Sequence, residues 1–286
     1  MSISIYHDSS FVCSQKITEH YSTSFSLGIK TLSKEFQKSI YAIYGMVRLA
    51  DEIVDTFHGF EQKTLLDEFK KETFESIERG ISLNPILQSF QLTVNQYNIP
   101  HHLIHSFFDS MYMDLNEIQY DNKLYNQYIY GSAEVVGLMC LHIFCKGDTN
   151  KYNELLEPAK ALGAAFQKVN FLRDLSADTQ DLGRMYFPKI DFTSFTKEEK
   201  ELIQEDIKND FLIAYQGILK LPDGAKLGVL IAYRYYVSLL MKIKKANIDT
   251  LKSKRISVSN FHKLFLLAKM VVANYIGYKS RALKAI

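Results

Sequence analysis

The sequence predicts an all-α fold, one helical domain over residues 1–286 in which 1–10 form a loose leading segment. Three observations predict it. Apolar residues recur at helical spacing along nearly the whole chain. No two β-branched runs alternate as a hairpin would. Turn-forming residues stand where such helices would have to end.

Taken in order, segment 34–58 lacks proline, has Gly45 as its one internal glycine and stops at His58-Gly59. Segment 61–79 closes on Arg79-Gly80, and Asn84-Pro85 opens 85–98. Ile99-Pro100 opens 101–117, and Lys146-Gly147-Asp148 closes 121–145. Segments 151–181 and 197–220 follow, then Leu221-Pro222-Asp223 leads into 223–249, and 257–284 comes last. The five prolines (85, 100, 158, 188 and 222) are expected between helices or at their starts, where a missing N–H costs little. No fixed-period repeat or low-complexity linker divides the chain.

Composition bounds the function. With 47% apolar and 23% charged residues, the chain has a globular balance, and 286 residues can bury a core with room for an internal cavity. The net charge is +2, but residues 242–286 hold eleven Lys and Arg against one acid, Asp249, so this tail carries +10 and the remainder −8. A basic tail can meet anionic headgroups or help hold diphosphate; no nucleic-acid motif accompanies it. Cys13, Cys140 and Cys145 have no framework spacing and read as reduced thiols inside a cell. The start, MSISIYHDSS, does not read as a signal peptide, and no stretch reads as a membrane span. The expected location is the cytoplasm, with peripheral contact at the inner face of the membrane through the basic segment.

Two segments are unusual. Segment 40–55 is apolar on most sides yet carries Tyr44, Arg48, Asp51 and Asp55 at spacings of four, three and four, along one helical stripe. Segment 162–178 repeats the device with Gln167, Asn170, Asp174 and Asp178. Two like charges at i and i+4 cost a helix roughly 0.2–0.5 kcal/mol, and a greasy helix is normally buried. Charges on its one wet stripe must then pair, bind metal or line a polar cavity. Facing carboxylate pairs suit Mg²⁺, which takes one or two carboxylates per ion and fills its remaining sites with water and phosphate. Arg48 and Arg173 could grip diphosphate oxygens in bidentate fashion. The competing account is ion pairing, for example Arg48 with Glu52.

Five stretches carry a resemblance: YSTSFSLGIKTL (21–32), AIYGMVRLADEIVD (42–55), YIYGSAEVVGLM (128–139), LGAAFQKVNFLRDLSADTQDLGRMYFP (162–188) and AYRYYVSLL (232–240). Together they resemble the squalene and phytoene synthase family, over roughly residues 11–280, most of all its bacterial phytoene synthases. The resemblance implies an isoprenoid-synthase-like bundle around a central cavity. It implies that two molecules of geranylgeranyl diphosphate are joined head to head to phytoene. The reaction passes through a cyclopropylcarbinyl diphosphate, with two or three Mg²⁺ ions, Mn²⁺ as a substitute and no NADPH.

By the same resemblance, Asp51, Asp55, Asp174 and Asp178 hold metal, with Asn170 beside them, and Arg48 and Arg173 contact diphosphate. Ser22, Ser24 and Phe25 lie near the substrate, as does Gln167. Tyr44, Tyr128 and Tyr236 line the cavity, Tyr128 with a catalytic role, and Arg184 and Tyr186 form a Gly-Arg-x-Tyr element. Aromatic faces suit a carbocation, by roughly 0.5–2 kcal/mol each, and a dry pocket keeps water from it. Glu52 stands where squalene synthases often carry Asp, and Ile29 where some relatives carry Phe. The alternatives are a squalene or dehydrosqualene synthase using farnesyl diphosphate, and a non-enzymatic relative. A di-iron carboxylate bundle needs Glu-x-x-His pairs, which the chain lacks. His101, His102 and His105 read as a surface cluster at a helix start, and 196–210 as a solvated helix face. Asp114 is an acid that could approach the site. The sequence sets no oligomeric state.

Overall fold

The structure is a computed structural model, which describes residues 2–116, 120–180, 186–188, 195–259, 263, 265 and 267–271, with the backbone alone at 176–180. Twelve α-helices and one π turn are defined, with no strand among the described residues: α1 (Ile3–Tyr21), α2 (Thr23–Lys30), α3 (Lys34–Asp55), α4 (Gln62–Arg79), α5 (Pro85–Tyr97), α6 (His101–Asp114), α7 (Asn122–Ile129), the π turn (Tyr130–Glu134), α8 (Val135–Cys145), α9 (Thr149–Gln180), α10 (Lys197–Ile218), α11 (Asp223–Lys245) and α12 (Ile248–Ser253).

The punctuation acts as expected. Gly80 ends α4 at φ 73, a left-handed position that costs glycine little. Asn84 caps α5 by accepting from the Ile86 N–H at 3.0 Å, with Pro85 in the first turn. Lys146 and Gly147 close α8 at φ 49 and φ 86. Thr196 and Glu199 form a reciprocal capping box that opens α10.

Several expectations change. Residues 3–10 are not loose: they form the first half of α1, where Ser10 is buried and the Tyr6 hydroxyl donates to the Ser82 carbonyl. Neither α1 nor α2 stands out in the sequence, because α1 buries only Ser10, Ser14 and Thr18 and so shows no apolar stripe. Pro158 lies inside α9 rather than at its start; its ring nests against Gly217 of α10, where a Cβ would collide with it. The segment expected to run 223–249 stops at Lys245, where Ala246 turns extended and Asn247 caps α12; buried Lys200 donates its ammonium to the Lys244 and Ala246 carbonyls at this helix end. Lys200 is thus one exception to the solvated face read at 196–210. Asp210 is another, bound at 2.8 Å by Lys168 of α9, whereas Asp206, which Lys168 also reaches at 2.6 Å, stays exposed as expected. Segment 257–284 lies mostly outside the described residues.

The run Asn122–Cys145 is, against expectation, long and apolar enough to cross a bilayer by length and composition alone. Its apolar residues have another use here: 56% of its most apolar window is buried inside the bundle. A helix packed on most sides is greasy all round. α3, α8, α9 and α11 build the cavity wall, α9 lying against α8, the π turn, α10, α11 and α12.

Candidate active site

A cavity of about 440 Å³ runs along α9 from Leu155 to Arg173. Its deep part is apolar, bordered by Leu32, Phe144, Leu155, Ile218 and Leu221, and close helix crossings shape it. At Gly163 a Cβ would stand 2.7 Å from the Ala133 carbonyl oxygen, and at Gly137 one would stand 3.0 Å from that of Ala159. Glycine therefore lets α9 and the π turn–α8 run meet backbone to backbone.

The other end is polar. Ser22, Ser24, Asp51, Arg48, Gln167, Asn170, Arg173 and Arg255 border it. Ser22 ends α1 and starts α2, its hydroxyl accepting from the Phe25 N–H at 3.2 Å, which turns Phe25 inward. Phe25, Tyr44, Phe166 and Tyr236 form an aromatic group: Phe166 stacks on Tyr236 with centroids 3.9 Å apart, and Phe25 stands 5.6 Å from Tyr44 and 6.1 Å from Tyr236. The Tyr236 hydroxyl donates to Asn170 Oδ1 at 3.2 Å. Burial, reinforced by Asp51, pushes the Tyr44 phenol up to about 12.

The charged groups pair. Arg48 binds Glu52 and lies 3.9 Å from Asp51, with its guanidinium 4.4 Å above the Tyr21 ring. Its buried Nε keeps no protein acceptor. Arg173 grips Asp174 through Nε and Nη2, and Arg255 reaches the same carboxylate at 2.6 Å. Burial works against the Arg173 charge, but Asp174 outweighs it and holds the guanidinium above its usual pKa. The ion pairing weighed from the sequence is thus real for Arg48–Glu52. It leaves the arginines beside the carboxylates, at the cavity's polar end.

The structure brings together Ser22, Ser24, Phe25, Tyr44, Arg48, Asp51, Gln167, Asn170, Arg173 and Tyr236. Asp55 ends α3 one turn past Asp51, and Asp174 joins the group through Arg173 and Arg255. Asp178 lies on α9 with its side chain outside the described residues, and Arg184 lies outside them altogether. Tyr128 and Tyr186 do not border the cavity. They belong to a separate buried aromatic cluster with Tyr120 and Phe171, where both hydroxyls donate to Asp114, at 2.9 and 3.3 Å. The sequence reading missed Tyr21, Phe166 and Arg255. Phe166 adjoins Gln167 in the second polar stripe and could have been found there; Arg255 sits far along the chain in an irregular segment that no periodicity marks.

The donor set tests whether Mg²⁺ fits. Asp51, Asp55, Asp174 and Asn170 offer hard oxygen ligands from two helices. Among the described residues no three His, Cys, Asp or Glu side chains form a cage that would hold a metal unaided. The buried Arg48 Nε without an acceptor suits an anion such as phosphate.

The squalene/phytoene synthase family profile matches residues 18–262. A 4,4'-diapophytoene synthase of Staphylococcus haemolyticus is 23% identical, over 87% of this chain and 93% of its own. A phytoene synthase of Arthrospira platensis is 26% identical, over 91% of each chain. Among solved structures, a dehydrosqualene synthase crystallised with a ligand superposes with a TM-score of 0.78 at 22% identity, covering 96% of this chain and 99% of that one. A squalene synthase of Alicyclobacillus acidocaldarius gives 0.73 at 19%, over 84% and 95%. The chain belongs to the squalene/phytoene synthase family.

Proposed function

We propose that this member of the squalene/phytoene synthase family is a Mg²⁺-dependent enzyme that joins two molecules of geranylgeranyl diphosphate head to head to give phytoene. The observation that carries the reading is a single cavity with an arginine–aspartate group at one end and an apolar lining beyond it. An amphiphile with an anionic head and a long hydrocarbon tail matches both halves.

Asp51, Asp55, Asp174 and Asp178, with Asn170, are the residues to hold Mg²⁺ once diphosphate is present. Bound there, the metal would offset the diphosphate's charge and ease its departure. Arg48, Arg173 and Arg255 hold diphosphate oxygens by exchanging a carboxylate partner for them. Phe25, Tyr44, Phe166 and Tyr236 present ring faces where allylic positive charge would develop. Tyr44 keeps its proton at neutral pH and so is no competing nucleophile. The apolar lining excludes water from the cation.

Cavity length admits the twenty-carbon substrate. Lining residues run along α9 from Leu155 to Asn170, a rise of about 22 Å at ~1.5 Å per residue. An extended sixteen-carbon main chain needs about 18 Å, at the ~1.2 Å per bond of an extended backbone. A fifteen-carbon farnesyl chain also fits. The relatives named diapophytoene and dehydrosqualene synthase favour that second reading.

Thermal unfolding with inorganic diphosphate tests the site. At about a hundredfold excess over its dissociation constant the ligand adds ~2.7 kcal/mol, a rise of roughly 4–5 °C. The rise should need Mg²⁺ and shrink in Asp51→Asn. An equal rise with chelator present contradicts the assignment.

A further inference from the structure

We infer that Phe144 is the side chain that stops the prenyl tail, and so sets the longest tail this cavity takes. This rests on the reading of the cavity as a prenyl diphosphate site and adds to it the residue that closes its deep end.

The wall made by the π turn and α8 is graded along its length. Ala133, Val136, Gly137 and Cys140 face the cavity at helical spacing, and all four are small. Phe144, one turn past Cys140, puts the first aromatic ring on that wall, at the deep end.

The ring cannot swing aside. Phe36, 1% exposed, stands behind it, with centroids 5.4 Å apart and planes at 77°. Phe36 does not border the cavity, and it is itself wedged. The start of α11 lies against it at Gly224, where a Cβ would come within 3.2 Å of the Phe36 ring. The Lys146 ammonium stands 5.1 Å above the same ring and pairs with Glu35 at 2.5 Å. The deep end is therefore closed by two rings, with an ion pair over the outer one.

Lengths decide what this closure admits. The lining runs about 22 Å along α9 at ~1.5 Å per residue. A twenty-carbon tail needs about 18 Å, and a further five-carbon unit adds four main-chain bonds, about 5 Å at ~1.2 Å per bond. A twenty-five-carbon tail thus needs about 23 Å and meets Phe144. Replacing Phe144 by alanine frees the four-bond path from Cβ to Cζ, again about 5 Å, which is room for one such unit. The new space stays closed and dry because Phe36 seals it. A ring placed at Cys140 does the reverse. It lies one turn, ~5.4 Å, nearer the polar end, and leaves about 17 Å. That is too short for a twenty-carbon tail but ample for the ~13 Å of a fifteen-carbon one.

Calorimetric titration with prenyl thiodiphosphates of fifteen, twenty and twenty-five carbons, in Mg²⁺, tests this without turnover, since their carbon–sulfur bond resists ionisation. Each buried methylene is worth about fourfold in affinity. The parent should therefore bind the twenty-carbon ligand at least about a hundredfold more tightly than the fifteen-carbon one, and the twenty-five-carbon ligand more weakly than the twenty. In Phe144→Ala the twenty-five-carbon ligand should become the tightest. Phe144→Leu, which removes less, should move the same way, the longest ligand gaining at least about tenfold. In Cys140→Phe the twenty-carbon ligand should bind no better than the fifteen-carbon one. Circular dichroism reports whether each variant is folded. If none of the three ligands binds the parent, the diphosphate reading fails and this inference with it. If they bind but the folded variants keep the parent's order of lengths, that reading stands and Phe144 is not the stop. A parent that prefers fifteen carbons, or that takes twenty-five as tightly as twenty, would also overturn the inference.

Discussion

Replacing Gly163 by alanine tests how the cavity wall is made. The new Cβ would stand 2.7 Å from the Ala133 carbonyl oxygen, 2.9 Å from its carbon and 3.0 Å from Glu134 Cα. All three are backbone atoms, so no side-chain rotation relieves the clash, and α9 must part from the π turn. Overpacking of this kind costs about 1–3 kcal/mol, and alanine's better helix propensity returns ~1 kcal/mol. With three backbone atoms at or under 3.0 Å the clash takes the upper half of that range, so the expected net loss is about 1–2 kcal/mol, a fall in melting temperature of roughly 2–3 °C. Activity should fall as well, because Gln167 and Asn170 lie one and two turns further along α9. Gly28→Ala is the comparison: its Cβ would come no nearer than 3.3 Å to the Gly228 carbonyl oxygen and 3.9 Å to Ala232. That variant should stay within about 1 kcal/mol of the parent chain. Urea unfolding of both variants reads the difference. If Gly163→Ala is as stable as the parent and Gly28→Ala is the weaker, backbone contact does not set this crossing.

Asp174→Asn should cut turnover at least about a hundredfold, the scale of losing one electrostatic contact to a transition state, with circular dichroism unchanged; full turnover would remove Asp174 from the site. Tyr236→Phe loses the hydrogen bond to Asn170 but keeps the stack on Phe166, so it should lose about 1 kcal/mol in urea unfolding, and Tyr236→Ala clearly more; equal losses would mean the stack contributes nothing. Burial, with Asp210 adding and Lys160 and Lys168 opposing, pushes the Glu134 carboxyl up to about 7. The folded chain then holds this proton more tightly than the unfolded chain does, so the stability it contributes is full below the ordinary carboxylate range and is lost as pH rises through about 7. Relative to Glu134→Gln, the parent should lose stability between pH 5 and pH 8, and a flat difference would contradict the buried carboxyl.

The sequence was most legible where one physical demand repeats. Two apolar helices with a single polar stripe could be read because burial leaves charge only one direction to face. Ser22, Tyr44, Arg48, Asp51, Asn170 and Arg173 accordingly meet at one end of the cavity. Helix ends were legible wherever glycine, proline or a capping side chain marked them. α1 escaped because its buried face is serine and threonine, as in the Ser14–Ser89 hydroxyl contact at 2.7 Å, so it carries no hydrophobic period. The π turn escaped because its cause is tertiary: Gly131 packs against the backbone of Ser106. Tyr128 was misplaced for a related reason. A tyrosine beside a cavity and one packed against Asp114 have the same local sequence signal, and only the register of neighbouring helices separates them.

The central claim is a cavity that takes two twenty-carbon allylic diphosphates under Mg²⁺ control. The direct measurement supplies geranylgeranyl and farnesyl diphosphate separately, with Mg²⁺ and without NADPH, and identifies the products by mass spectrometry. The account predicts a forty-carbon hydrocarbon from geranylgeranyl diphosphate, abolished by EDTA and restored by Mg²⁺. Consumption of farnesyl diphosphate alone, or turnover that survives chelation, would contradict it.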